Sequence, residues 1–227
     1  DAAFPHYFRK KLMGFYSSCI KRHLYSHRVF NREPRFLSKN PSFSPKVRSL
    51  LEVFPDAKFV CLVRNPISSI PSVMRWFSFT WHYFGSPTEE FPHKDYILDL
   101  AEHWYHYPPE IFKDFPEKQY LIVRFEDLMR DPETVVKRIY SEFDISLSDD
   151  FADNLHKASE RQLRHYKLPD KKQQYAGDKE EFDDDEEEAS GERYSDEAAA
   201  LMDKEEIQNR FKELLVKYGY SSEKASQ

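Results

Sequence analysis

Apolar positions along the chain fall into two periods. Residues 58–63 (KFVCLV) and 120–124 (YLIVR) are short continuous apolar runs. Such runs predict strands buried on both faces, as in a parallel sheet covered by helices. Elsewhere the apolar residues recur at helical spacing. Residues 7–30 predict one or two helices rich in basic side chains. Residues 44–53 predict a helix with Ser44 as N-cap and Pro45 in the first helical position. The short RFLS stretch at 35–38, ended by Asn40-Pro41, predicts a strand.

The cap-and-proline pair recurs. Asn65-Pro66 predicts a helix starting directly after the first apolar run, kinked at Pro71 and stopped by Gly85. Residues 96–113 predict another, interrupted near Pro108-Pro109. Asp131-Pro132 opens a helix with Val135, Val136, Ile139, Tyr140 and Phe143 on one side. Residues 149–163 form a further helix. Residues 203–218 form a last one, with Ile207, Phe211, Leu214 and Leu215 on one face and Gly219 as its stop. Strands alternating with helices give an α/β fold, a parallel sheet flanked by helices. No repeat or second domain is visible, so one domain over residues 1–227 is expected.

Charge changes this picture in one place. The net charge is −6, and most of the acid excess is the run DKEEFDDDEEE beginning at Asp178. Residues 178–195 have too few apolar side chains to fold and predict a flexible loop. The overall balance argues against a nucleic-acid binder, which needs a basic surface. Cys19 and Cys61 make no disulfide framework. No stretch approaches the ~20 apolar residues that span a bilayer, and no signal-peptide core follows the first residues. Peripheral membrane association stays open.

Candidate chemistry concentrates in residues 54–72, FPDAKFVCLVRNPISSIPS. A buried strand ends in Arg64, a helix begins at once, and Ser72 follows eight residues after the arginine. Ligands of open α/β sheets sit at the carboxyl ends of the strands. A helix N-terminus there offers N–H groups and a positive dipole end to an anion. A guanidinium grips phosphate bidentately. Arg64 and Ser72 therefore make a candidate phosphate site. The competing reading is an ordinary strand–loop–helix whose arginine pairs with a carboxylate. Glu126 and Asp127 look like paired catalytic carboxylates, but acids just after a strand favour a structural role, capping the next turn. The nine histidines show no metal-ligand spacing. The aromatic run from Trp76 to Phe84 reads as packing for residues at helical spacing, with an acceptor pocket or a membrane or glycan contact as alternatives.

The 54–72 segment resembles the 3′-phosphate-binding segment of sulfotransferases that use PAPS (3′-phosphoadenosine 5′-phosphosulfate). There a strand ends in Arg, an Asp/Asn-Pro pair follows, and a Ser comes eight residues after the Arg. Arg64 and Ser72 stand on those positions. Residues 120–151 are similar to the family's strand, Y-E-D-L and D-P helix, with Phe125 in place of the tyrosine. The closing EEIQNRFKELLVKYGY is similar to the C-terminus of many such enzymes, and FLSKNPS to the strand end that precedes the 3′-phosphate segment. The resemblance implies a P-loop-type nucleotide fold with PAPS as donor and PAP as product. The acceptor would be a hydroxyl or amine. Lys39 aligns with a family lysine near the reaction centre. It would stabilise donor charge, or else is a surface lysine at a strand end.

Two departures stand out. The family's 5′-phosphosulfate loop, similar to P-K-[ST]-G-T-[ST], has no counterpart here, so the expectation is a domain incomplete at its N-terminus. Alone, it should bind donor weakly. The Y-K-S-x-H-like stretch reads HYKLPDKKQQY, where Lys167 could reach a phosphate or be a solvated surface lysine. A histidine base found in cytosolic relatives is replaced by Pro41. An alternative function is a non-catalytic binding or scaffold protein lacking the phosphosulfate loop. A small-molecule kinase would need a Walker-type G-K-[ST], which is absent.

Overall fold

The structure, a computed structural model, describes residues 5–27, 35–85, 91–165 and 203–220. The described chain runs α1 (His6–Ser26), a 3₁₀ turn (Pro41–Lys46), α2 (Val47–Val53), β1 (Phe59–Val63), α3 (Pro66–Gly85) and α4 (Lys94–Phe112). A 3₁₀ turn (Glu117–Gln119), β2 (Tyr120–Arg124), α5 (Phe125–Arg130), α6 (Pro132–Glu142) and α7 (Asp149–His165) follow. The last described helices are α8 (Lys204–Arg210) and α9 (Lys212–Lys217). The fold is mostly helical with a small parallel sheet, β1 beside β2. That is the α/β class its alternation of patterns implies. The acidic run and Lys167 lie outside the described residues.

The chain divides into two compact units. The first holds residues 1–61 and 103–121. Its core is Val47 and Leu51 of α2 with Ile111 and Phe112 of α4, joined by Phe59, Cys61, Tyr107, Phe115 and Tyr120. Phe112 and Tyr120 stack face to face, 4.4 Å between centroids. α1 lies against α2 through one stripe. Met13 is buried, Arg9 reaches Glu52 at 3.6 Å, and Tyr16 meets Phe43 and Phe54 edge-on.

The second unit holds residues 62–102 and 122–227. α3 buries Pro66, Ile70, Met74 and Ser78, four residues apart each time, so one face of the helix is core. Ile207, Phe211, Leu214 and Leu215 of the closing segment are buried as their spacing predicts. Asp131 caps α6 by accepting the Thr134 N–H at 3.1 Å, and Asp203 caps α8 by accepting the Glu205 N–H at 2.8 Å.

Several expectations need correction. Residues 35–38 are irregular and exposed, because a strand needs a partner and the only described ladder is β1–β2. The helix read from Ser44 starts differently. Asn40 accepts the Ser42 N–H at 2.9 Å and Pro41 opens a 3₁₀ turn, so the cap-and-proline pair upstream sets the start and α2 begins only at Val47. β1 is buried on one side alone, with Val60 43% and Leu62 48% exposed. α4 continues through Pro108 and Pro109 rather than breaking there. The closing helix distorts at Phe211, yet the Phe211 N–H still donates to Ile207 and its carbonyl accepts from Leu215. The aromatic run of α3 divides: Trp76, Phe79, Tyr83 and Phe84 are exposed, whereas Phe77 and Trp81, four residues apart, are half-buried.

Candidate functional site

Arg64 follows β1 directly and is half-buried. Its guanidinium lies 4.7 Å over the ring of Phe125, the first residue after β2. Stacking engages the flat face of the guanidinium, whereas phosphate recognition uses the N–H groups in its plane, so the two are compatible. The aromatic position after β2 therefore sets the pose of the arginine after β1.

Asn65 caps α3 twice over. Its side chain accepts the Ile67 N–H at 3.0 Å, and its carbonyl accepts the Ser68 and Ser69 N–H groups at 3.0 and 2.9 Å. Pro66 has no N–H to give. The free N–H donors expected at this helix start are thus already taken, because the residue that makes a good cap satisfies the turn internally. An anion at this helix start would meet the positive dipole end rather than the first-turn N–H groups. Ser72 is exposed and lies two turns beyond Asn65, roughly 10 Å along the axis. The same register places Ser68 and Ser69 between them.

The Asn65 backbone N–H points away from its helix and donates to Glu126 Oε1 at 3.1 Å. Glu126 Oε2 accepts the Tyr220 hydroxyl at 2.6 Å, and that hydroxyl sits 3.2 Å from the Val63 carbonyl. The Tyr220 ring carries the Arg124 guanidinium at 4.6 Å. Burial, together with the hydrogen bond to Glu126, pushes the Tyr220 phenol well above its ordinary value, so it stays a donor. Glu126 is structural, as read from sequence, but not as a cap: it clamps the β1–α3 junction to the end of the described chain. Asp127 pairs with Arg130 at 3.4 Å within α5.

Arg64 and Ser72 belong to the second unit. Lys39 belongs to the first, exposed in the stretch before the Asn40 cap. The structure adds Tyr220, Arg124 and Phe125 to the neighbourhood of Arg64. Sequence spacing could not find the Tyr220–Glu126 contact, which joins residues 94 apart. The only signal was the closing KYGY of the C-terminal resemblance. Among the described residues no His, Cys, Asp and Glu group could hold a metal ion.

Further along α3 an open apolar cleft of about 590 Å³ lies between the end of α3 and the start of α4. Phe77, Trp81, Phe84, Phe91 and Ile97 line it, with His93 as its titratable member. The Trp81 indole N–H is buried without a hydrogen-bond partner among the described residues.

Comparison with known proteins follows this geometry. Residues 3–149 match the sulfotransferase family model. The chain is 30% identical over 118 residues to the omega-hydroxy-beta-dihydromenaquinone-9 sulfotransferase Stf3 of Mycobacterium bovis, covering 49% of this chain and 29% of that protein. The Mycobacterium tuberculosis Stf3 matches equally. The crystal structure of sulfotransferase STF9 from Mycobacterium avium shares the fold, with a TM-score of 0.55 and 20% identity over 78% of this chain and 40% of that one. The chain thus spans under a third of the length of the curated relatives it matches.

Proposed function

This chain belongs to the sulfotransferase family, and from that premise we propose that it carries the 3′-phosphate half of a PAPS site in an enzyme that sulfates a hydroxyl or amine. Arg64 grips the 3′-phosphate through its in-plane N–H groups, and Ser72 adds a hydroxyl donor. The observation that carries this reading is the Arg64 guanidinium held over Phe125 at the end of β1, beside a capped helix start. A pre-posed guanidinium loses little rotamer freedom on binding, so more of its phosphate contact appears as affinity.

Transfer would be an in-line displacement. The acceptor oxygen or nitrogen forms a bond to sulfur as the bond from sulfur to the PAP phosphate oxygen breaks. The acceptor proton passes to a base, and PAP leaves carrying the charge. The protein's part is positioning and charge stabilisation. By the family resemblance, Lys39 would take the second task and stabilise charge on the leaving phosphate.

An apolar acceptor is favoured by the cleft along α3. Its lining from Phe77 to Phe84 lies roughly 8 to 18 Å along the helix from Ser72. That suits the tail of an extended acceptor rather than its reacting group. The mycobacterial relatives are named as sulfotransferases of omega-hydroxy-beta-dihydromenaquinone-9.

The test is calorimetric titration of PAP into the complete protein and its Arg64→Ala variant. The expected loss is about 2–4 kcal/mol, the scale of a charge-assisted phosphate contact. Unchanged affinity would remove Arg64 from the site. Labelled sulfate transfer from PAPS by the complete protein to long-chain primary alcohols tests the acceptor class, and transfer to short polar alcohols alone would refute the apolar reading.

A further inference from the structure

In the turns nearest Arg64, α3 carries two hydroxyls and one cation on its outward side. The buried side of the helix is Pro66, Ile70, Met74 and Ser78. At 3.6 residues per turn, Ser68 and Ser72 fall on the opposite side. Arg75 comes seven residues after Ser68 and three after Ser72. It therefore lies about 20° round the helix from Ser68 and about 60° from Ser72. All three residues are exposed.

These side chains are uncommitted. A hydroxyl within a helix can bond back to the carbonyl one turn before. Ser18 does so to Gly14 at 2.9 Å, and Thr80 to Trp76 at 2.7 Å. The Ser68 and Ser72 hydroxyls make no such bond, and Arg75 has no ion pair or hydrogen bond from its side chain among the described residues. No Asp or Glu stands anywhere on α3 to engage it. Helical side chains lean toward the helix N-terminus. The rise from Ser72 to Arg75 is about 4.5 Å, less than the length of an arginine side chain, so Arg75 can reach an anion held at Ser72.

Charge gives this reach a meaning. A phosphate monoester carries about −1.5 to −2 charge at neutral pH. Arg64 supplies one positive charge. Arg75 is the one lysine or arginine within α3. A tetrahedral phosphate offers three terminal oxygens, so two guanidiniums can grip it from different sides.

We infer that Arg75 is a second guanidinium on the 3′-phosphate of the donor, across from Arg64, with the Ser68 hydroxyl beside that of Ser72. This rests on the donor reading above and deepens it. Two arginines and two hydroxyls on one monoester make the 3′-phosphate the group by which the nucleotide is selected. A nucleotide without it leaves all four groups in water.

The test is calorimetric titration of two nucleotides, adenosine 3′,5′-bisphosphate and adenosine 5′-phosphate, into the complete protein and its variants. Arg75→Gln should weaken the bisphosphate about tenfold, the scale of one charge-assisted contact, and leave the monophosphate within about twofold. Ser68→Ala should weaken the bisphosphate about threefold. Arg75→Lys should fall between Arg75→Gln and the unaltered protein, because an ammonium keeps the charge and loses the fork. Melting temperatures should not change, since neither side chain has a partner in the fold. Equal weakening of both nucleotides would put Arg75 on another part of the ligand and overturns the inference. So does an unchanged bisphosphate affinity in Arg75→Gln while Arg64→Ala weakens it, an outcome that leaves the Arg64 site standing. If neither arginine substitution changes that affinity, the Arg64 site falls and Arg75 falls with it.

Discussion

The hydroxyl of Tyr220 donates a 2.6 Å hydrogen bond to Glu126, whose other oxygen accepts the backbone N–H of Asn65 at 3.1 Å. One carboxylate therefore ties the last described residue to the residue that caps α3. The junction that poses Arg64 depends on a contact made at the far end of the sequence.

Tyr220→Phe removes the donor and leaves a half-buried carboxylate oxygen less well satisfied. Hydrogen bonds to charged acceptors contribute about 1.5–3 kcal/mol, and partial exposure of Tyr220 lowers this toward about 1–2 kcal/mol. The urea midpoint should fall by a corresponding amount with an unchanged slope. If Arg64 is posed through this junction, PAP affinity should weaken in the same variant under native conditions. An unaltered midpoint would show that the clamp carries no stability.

Gly219 precedes Tyr220 with φ of +68°, the left-handed region. Its N–H donates to Val216 and that of Tyr220 to Leu215, so the two carbonyls left open at the end of α9 are satisfied in a Schellman turn. A Cβ at this position would meet only an Arg124 terminal nitrogen at 3.8 Å, an ordinary contact. The cost of Gly219→Ala is thus backbone conformation, about 1 kcal/mol. Thermal unfolding should show it as a drop of a few degrees, and a stabilised variant would contradict the turn geometry.

What was legible in the sequence was mostly local. Asn65, Asp131 and Asp203 each accept an N–H two or three residues on, and each could be read as a cap from its own neighbourhood. Gly219 was legible as a stop for the same reason. Elements that depend on a partner were not. Residues 35–38 have strand composition, but no described strand lies beside them. The exposed side of β1 is set by what covers the sheet, and an apolar run looks the same covered or bare. The site divides along the same line. Arg64 and Ser72 stood out because eight residues separate them. Glu126 and Tyr220 are joined across the sequence only by packing. The first-turn N–H groups of α3 were misjudged because one residue, Asn65, serves both as cap and as internal acceptor.

Arg210 of α8 reaches two carboxylates of α4. Its Nε donates to Glu102 at 3.1 Å, and a terminal nitrogen donates to Asp99. A guanidinium shared by two acids fixes α8 against α4 with a geometry lysine cannot copy. Because the group is partly solvated, Arg210→Ala should cost about 1 kcal/mol, and Arg210→Lys most of the same. Chemical denaturation in low salt measures both. Full retention of stability by the lysine variant would mean that charge alone, not the fork, makes the contact.

His156 of α7 meets Glu133 of α6 at 2.8 Å, and Glu133 also accepts Lys137 at 2.6 Å. The hydrogen bond the imidazole donates to Glu133, then the charge of Glu133 and that of Glu160, raise the imidazole above its ordinary 6.5. The Lys137 hydrogen bond first, then that of His156, lowers Glu133 below 4.5. The signs define a window. A raised histidine contributes stability that is complete below its unfolded value and is lost as pH rises through its folded one. A lowered carboxylate contributes stability that is present above its unfolded value and is lost as pH falls through its folded one. The pair therefore helps most between the two ordinary values, roughly pH 4.5 to 6.5, and fades as pH rises beyond the upper one. Both groups are exposed, so the gain is small and salt should erase it. Melting temperatures of the chain and of His156→Gln should separate at pH 6 in low salt and converge at pH 8.5 or in molar salt. A gap that stays constant from pH 5 to 8.5 would mean that His156 acts by packing rather than by charge.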